Sequence, residues 1–307
     1  MKLSAELVTL GGRNGSRYQY SAVVEALTLA GLDPKKAREF LPRNAWSRAC
    51  RRLAEQRVID VIREDEEEAL FQFSRRHLAE DRTEGGQQIE YRKEIKILLD
   101  KDSGNLFCRD ESVLQQARIE LEKCMGERTN NDVTSIVHRL FRANGDLMPL
   151  PGAAGVYLVP IKFRDFLRKV EAFLTKLGRK PHIVPIPEGT EDGDRTVQET
   201  VAEYLGSLIQ DHETAVEGFG ESTRNGTFDA AAKRINETRV KVEAYALYLM
   251  DRKDELLAAV DAAKAKLAEA VERLTKKEDA PEPEAEEEAI DVTEEQEAEP
   301  EEVEIAF

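Results

Sequence analysis

The sequence has few of the residues that most often carry catalysis or bind metals. Its 307 residues include three cysteines, four histidines and one tryptophan. Cys50, Cys108 and Cys124 form no CxxC pair, which argues against a disulfide framework or a structural zinc site and indicates reduced thiols. The histidines are dispersed, and no HExxH or GxSxG motif occurs. We therefore expect no enzymatic activity, no metal and no other cofactor.

Long apolar runs are missing as well. No stretch approaches the roughly 20 apolar residues that a membrane-spanning helix needs. The first residues, MKLSAELVTLGG, lack the apolar core of a secretory signal. These absences predict a soluble cytoplasmic protein without membrane contact.

Charge is distributed unevenly along the chain. The formal net charge is −16, yet residues 1–190 sum to +4. Residues 281–307 contain thirteen acidic residues and no basic one. A segment of this composition cannot bury enough apolar surface to fold, so a disordered acidic tail is expected over residues 277–307. The nearly neutral front of the chain can contact nucleic acid locally, although the whole molecule has no attractive basic field.

The periodicity of apolar residues in the first 90 positions predicts three helices followed by two strands. An acidic run, Glu64–Glu68, joins the two strands. The helices are expected over 20–30, 34–41 and 44–56, and the strands over 58–62 and 69–73. This order is typical of a winged-helix unit, which we place at residues 1–90.

A second α+β unit with β-hairpins is predicted over residues 91–190, and a helical unit over 195–276. In the helical unit, residues 196–217 and 228–275 have helical patterns, the second without Gly or Pro. Apolar residues seven apart predict a coiled-coil hairpin, closed either within one chain or between chains. The seam residues are Ile235, Val242, Leu249, Leu256 and Ala263. We expect a homo-oligomer through this coiled coil. The fold class is therefore α+β and mainly helical, with a winged-helix-like N-terminal region, long coiled-coil helices and an acidic tail.

Two helices carry candidate nucleic-acid-binding residues. In a winged helix, the helix at 44–56 enters the major groove, where Arg and Asn read base edges or contact phosphates. Its polar side presents Asn44, Ser47, Arg48, Arg51 and Arg52. The alternative is a solvated face with an Arg51–Glu55 pair. Repulsion between the nearby run Glu64–Glu68 and phosphates also opposes DNA binding.

The helix at 131–143 carries the second set, Arg139 and Arg142, next to His138. The alternative is again an ordinary solvated face.

The chain ends in Glu-Glu-Val-Glu-Ile-Ala-Phe. This ending resembles the acidic C-terminal tips of bacterial and phage single-stranded-DNA-binding proteins, which dock into protein partners. The resemblance implies a partner-binding role for Glu304, Ile305 and Phe307; the alternative is a solubilising tail. No five-strand OB-fold pattern accompanies it.

The front of the chain, over residues 17–215, resembles an uncharacterised family of bacterial and phage proteins. The stretches that carry the resemblance are YRKEIKILLDKDSGNLFCRDE and GVYLVPIKFRDFLRKVEAFL. The family has no known function to carry over.

Taken together, these features predict a non-enzymatic nucleic-acid-associated or regulatory binding protein of phage or mobile-element origin. Its expected partners are single- or double-stranded DNA and a protein bound through the acidic tail. The alternative is a protein–protein adaptor or structural protein without nucleic-acid contact.

Overall fold

The computed structural model describes residues 2–12, 15–54, 57–80, 87–220, 223–250 and 252–278. Within these ranges the chain forms three antiparallel sheets and nine α-helices. The strands are β1 (Leu3–Thr9), β2 (Arg17–Gln19), β3 (Arg57–Glu64), β4 (Glu68–Glu80), β5 (Gln87–Asp100), β6 (Leu106–Phe107), β7 (Glu127–Thr129), β8 (Met148–Pro149), β9 (Val156–Pro160) and β10 (His182–Pro187). The helices are α1 (Tyr20–Leu29), α2 (Pro42–Leu53), α3 (Glu111–Gly126), α4 (Asn130–Asn144), α5 (Arg164–Lys176), α6 (Glu191–Glu217), α7 (Asn225–Ala244), α8 (Ala246–Leu249) and α9 (Arg252–Glu278).

The first sheet, in the order β10-β1-β9-β8, separates two hydrophobic cores. Side chains alternate between the two faces of a strand. Ala5 and Leu7 of β1 therefore belong to the core formed with α6–α9. Val8 on the opposite face packs into a second core, formed with α1, α4 and α5.

The third core lies between α2, α3 and the sheet β3-β4-β5-β6. Trp46 of α2 is fully buried there and meets Phe71 of β4 edge to face, with ring centroids 5.8 Å apart. The small sheet formed by β2 and β7 links the chain before α1 to the chain before α4. The α+β class predicted from the sequence is confirmed.

The predicted helix at 34–41 is wrong. Its start is as expected, since the Asp33 side chain accepts a hydrogen bond from the Lys35 backbone N–H at 3.0 Å. The helical segment is only a 3₁₀ turn at Pro34–Lys36, however. Leu41 is extended with ψ 146°, because a residue before proline is excluded from the helical region. Pro42 then occupies the first turn of α2.

The single long helix predicted over 228–275 is also wrong. The chain leaves the helical path between α7 and α9, where Met250 has a φ of 46°. Helices α6, α7 and α9 pack against one another. All five predicted seam residues are buried in the first core. They therefore pack within one chain, and these side chains are not exposed for self-association.

The predicted boundary between residues 90 and 91 does not coincide with a break between sheets. It falls inside β5, which pairs along its length with β4. Strand β1 pairs with β9 and β10, from the predicted second unit. Helices α1 and α2, assigned together to one winged-helix-like unit, contribute to different cores.

None of the helices in the described ranges combines the length and apolar character required to cross a membrane. The partner-binding role predicted for Glu304, Ile305 and Phe307 concerns residues outside the described ranges, and so does the predicted disordered tail beyond Glu278.

Candidate nucleic-acid interface

Helix α2 uses its apolar side to hold the third core and leaves a polar side outward. Ala45, Trp46, Ala49 and Cys50 are buried. Asn44 and Arg51 are exposed, and Ser47, Arg48 and Arg52 are half-buried. The predicted residues therefore lie on one side of the helix, but most of them have partners within the protein.

Arg48 is held by Asp132 of α4. The two guanidinium Nη atoms donate to the two carboxylate oxygens at 2.7 Å, and the Arg48 guanidinium stacks 4.0 Å from the centroid of the Phe40 ring. The hydrogen bond to Asp132 raises the pKa of Arg48. The same carboxylate accepts hydrogen bonds from the N–H and hydroxyl of Thr129, at 2.7 and 2.8 Å. These bonds form part of a capping box that starts α4.

The other half-buried groups of α2 are engaged in the same way. Arg52 pairs with Glu127 at 3.1 Å and Glu120 at 3.6 Å. Ser47 exchanges hydrogen bonds with Arg43. Of the predicted α2 residues, only Asn44 and Arg51 are exposed and lack such a partner within the described part of the chain.

The acidic run between β3 and β4 is partly neutralised by neighbouring cations. Arg43 donates two hydrogen bonds of 2.8 Å to Glu64, and Lys101 lies 2.9 Å from the same carboxylate. The hydrogen bonds from Arg43 and Lys101 lower the pKa of Glu64 to about 2. The turn nevertheless keeps a net negative charge, which makes it unsuited to contact phosphates as a wing would.

A cationic cleft lies between α4 and the segment 33–38, and we call it the α4 cleft. Its volume is about 840 Å³. Five lysines and arginines line it against a single carboxylate, that of Asp33. The lining residues are Asp33, Lys35, Lys36, Arg38, Ser135, His138, Arg139, Arg142 and Ala143.

None of the five cations forms an ion pair with the described residues. The Nε of Arg139 is buried and has no hydrogen-bond partner in this part of the chain. Burial lowers the pKa of Arg139, and the positive charges of Arg38 and Arg142 lower it further. The charge of Asp132 acts in the opposite direction, but the net shift is downward. Arg139 is thus close enough to Arg38 and Arg142 to be repelled by both, and an anion in the cleft would relieve that repulsion.

His138 lies half-buried at the side of the α4 cleft. Its ring nitrogen Nε2 is 3.3 Å from the hydroxyl of Tyr157, and the two rings meet edge to face. Burial lowers the pKa of His138, and the charge of Arg142 adds to this effect. The pKa of His138 therefore depends on the charge at one position of the cleft, Arg142.

A further buried cation lies beside the first half of α4. Arg179 is only 4% exposed, and it donates from Nε to the Gly11 carbonyl at 2.9 Å and from Nη2 to the Thr134 hydroxyl at 3.3 Å. Its Nη1 is buried without a partner among the described residues. Burial lowers the pKa of Arg179.

The structure brings Arg139 and Arg142 together with three cations that the sequence reading did not single out, Lys35, Lys36 and Arg38. The signal was present as a run of three cations within four positions. It was assigned to a helix that does not form, so its face could not be inferred. Arg48 and Arg52 do not join this cluster.

No group of three or more His, Cys, Asp or Glu capable of holding a metal occurs in the ranges that the structure describes. All three cysteines are free thiols, and Cys50 and Cys124 are buried.

Comparisons with known proteins place the chain in a family but do not supply a function. Neither the curated proteins nor the solved structures contain a significant match to it. A family model described as a family of unknown function, DUF6744, matches residues 14–279. This match covers most of the chain, and the protein therefore belongs to the DUF6744 family of unknown function.

Proposed function

We propose that this protein is a non-enzymatic binding protein that contacts the phosphate backbone of nucleic acid through the α4 cleft. The observation that carries this proposal is a cluster of five cations, none of which forms an ion pair with the described residues. The buried Nε of one of them, Arg139, has no hydrogen-bond partner there either. A buried N–H without a hydrogen bond is costly, and a phosphate oxygen is a suitable acceptor.

The chemistry of the cleft favours contacts to the backbone over reading of bases. Lys and Arg contacts to phosphates supply affinity and position a protein, but they carry no sequence information. Base reading needs free Arg or Asn side chains on an element that enters a groove. On α2, Arg48 and Arg52 are occupied by carboxylates, which leaves Asn44 and Arg51 for such a role.

The order α2, β3, β4 is that of a helix followed by a wing, and a winged-helix-like character of this region remains part of the proposal. Binding through the α4 cleft does not depend on it. The acidic turn at the tip of the wing supports an orientation in which α4, and not this hairpin, approaches the phosphates.

Fluorescence anisotropy tests the proposal directly. The full chain is titrated into labelled single-stranded and double-stranded oligonucleotides at about 50 and 200 mM salt. Five phosphate contacts predict a slope of log K against log salt of about −4.5 for a duplex and about −3.5 for a single strand. Affinity should fall several hundred-fold or about a hundred-fold, respectively. Absence of salt-dependent binding to both oligonucleotides at the lower salt would refute the proposal.

The second candidate is a protein–protein adaptor without nucleic-acid contact. Exposed apolar side chains near the junction of α7 and α9 favour it: Leu247 is 93% exposed and Met250 67% exposed. In the same titration an adaptor gives no signal with either oligonucleotide.

A further inference from the structure

The sheet of the third core ends in an open edge. Among the described residues, β3 pairs with β4 alone, so the other edge of β3 presents unpaired backbone N–H and C=O groups. Two apolar side chains at this edge are exposed, Val61 by 46% and Ile62 by 50%. An edge of this kind can accept an additional strand.

A groove runs between this edge and α2, and we call it the β3–α2 groove. Its volume is about 310 Å³. Val61 lies opposite Phe71, and Ile59 opposite Phe73, so both belong to the side of the sheet that α2 covers. The groove is lined by Arg43, Ser47, Cys50, Arg51, Ala54, Ile59, Val61 and Phe71. Its floor is therefore largely apolar and its rim is cationic.

The groove has a defined polarity. Arg43, in the first turn of α2, pairs with Glu64 at the end of β3, so α2 runs antiparallel to β3. Arg51 near the end of α2 consequently lies toward the beginning of β3. Arg51 is exposed and has no ion pair in the described part of the chain, whereas the charge of Arg43 is already neutralised. Glu55, the partner considered for Arg51 in the sequence analysis, lies outside the described residues. Within the described residues, the positive charge without an ion pair therefore lies at one end of the groove.

The C-terminal sequence matches this surface. Residues 302–305 alternate between acidic and apolar side chains, and Ala306 and Phe307 follow. In a strand, Val303, Ile305 and Phe307 share one face, because alternate residues do so. Twenty-nine residues follow α9, and fully extended they span about 100 Å. A folded chain of this size has a radius of gyration of about 20 Å.

We propose that residues 302–307 of the chain add to the free edge of β3 as an antiparallel strand and place Val303, Ile305 and Phe307 in the β3–α2 groove. The antiparallel direction brings Phe307 to the end of the groove that holds Arg51, and Glu304 lies nearer to Arg51 than Glu302 does. The backbone groups of β3 supply hydrogen bonds, and the apolar floor selects the alternating side chains.

Photo-crosslinking in the full chain tests this docking. Phe307 is replaced by p-benzoylphenylalanine, and the crosslinked peptides are mapped by mass spectrometry. Crosslinks within one chain to residues 43–64 are expected. Crosslinks to 33–38 or 135–143 would show that the tail binds the α4 cleft as a simple polyanion and would overturn the proposal. Crosslinks between copies, or spread over the surface, would also overturn it.

Two variants sharpen the experiment. Val61→Asp places in the groove a charge that repels the acidic segment, and its matched control is Ile119→Asp, at an apolar residue of α3 that is 49% exposed. The double change Val303→Ser and Ile305→Ser leaves the groove intact and removes two apolar anchors. Loss of each anchor is expected to lower the docking equilibrium constant about tenfold, and the crosslink yield should fall with it. The proposal fails if the yield is the same in Val61→Asp as in Ile119→Asp, or is unchanged by the double change.

Discussion

The polar faces of α2 and α4 are alike in sequence and different in the folded protein. Arg48 and Arg52 of α2 each have carboxylate partners, while Arg139 and Arg142 of α4 have none among the described residues. The ion pairs of Arg48 and Arg52 connect α2, which covers the third core, to α4 and β7. The α4 arginines join a cleft with three more cations. Charge on a helix therefore indicates a binding surface only where tertiary contacts leave it unneutralised.

The difference arises from residues distant in sequence. Asp132 is 84 positions from Arg48, and Glu127 is 75 positions from Arg52. Both carboxylates lie around the start of α4, where β7 and the capping box fix the backbone. Asp132 in the first turn of α4 therefore neutralises Arg48 of α2. Arg139 and Arg142, farther along α4, have no carboxylate partner among the described residues.

Loss of the Asp132 carboxylate should have the largest effect on stability. Asp132→Ala removes both the pair with Arg48 and the capping box of α4, and should lower the free energy of unfolding by about 2–4 kcal/mol. Asp33→Ala is the control, because Asp33 caps only a 3₁₀ turn, and should cost about 0.5–1 kcal/mol. Urea unfolding followed by circular dichroism measures both. Equal costs for the two variants would contradict a special role of Asp132.

The Asp132 contribution should depend on pH. Burial acts to raise the pKa of Asp132, but hydrogen bonds from Arg48 and Thr129 outweigh it, and the net shift is downward. The stabilisation is therefore present at neutral pH and lost as pH falls through the folded-state pKa. The difference between wild type and Asp132→Ala should shrink in acid.

Removal of cleft cations should have the next largest effect, on affinity and not on stability. The double variant Lys35→Gln and Arg142→Gln should weaken binding of oligonucleotides about tenfold or more and reduce the salt slope by about 2. Unfolding free energy should change by less than about 0.5 kcal/mol, since neither side chain has an ion pair in the described structure. Arg118→Gln, at an exposed residue of α3, is the control for charge alone. A loss of affinity in Arg118→Gln as large as that in the double variant would contradict a specific role of the cleft.

Arg139 and Arg48 should respond in opposite ways to replacement by methionine. Arg139→Met removes a partly desolvated charge and a buried N–H that has no partner among the described residues. It should leave stability unchanged or increase it by up to about 1 kcal/mol. Arg48→Met leaves Asp132 without its cation and should cost about 1–3 kcal/mol. Thermal and urea denaturation provide the measurement. A marked destabilisation by Arg139→Met would show that its charge is satisfied within the fold.

The smallest expected effect is a shift of the His138 pKa. Arg142→Gln removes a like charge and should raise this pKa, and so should bound oligonucleotide, whose phosphates favour the protonated ring. NMR titration of the imidazole protons measures the change. His212, whose pKa is lowered by burial and by Arg234, is the internal control and should not respond. A response of equal size at His212 would indicate a global change instead of a local one.

Most elements of the fold are predictable from local pattern. Helix α5 is an example, because its buried residues Leu167, Val170, Phe173 and Leu174 have the spacing of one helical face. The break after α7 is not predictable in this way, since no Gly or Pro marks it. Tyr245 is 1% exposed and donates to Asp146 at 2.5 Å, so the path of the chain there depends on a tertiary contact.

The candidate site is predictable only in part. Sequence analysis predicts cations on one polar face of each helix, α2 and α4, and it treats the two sets alike. Which cations meet carboxylates after folding, as Arg48 meets Asp132, is not encoded in any local pattern. Membership of the chain in a family of unknown function adds no evidence on this point.

Hydrogen–deuterium exchange of the full chain with and without oligonucleotide tests most directly whether α4 or α2 forms the interface. Binding through the α4 cleft predicts slower exchange in residues 33–38 and 135–143, with little change in residues 42–53. Protection concentrated in residues 42–53, with none along α4, would contradict the account.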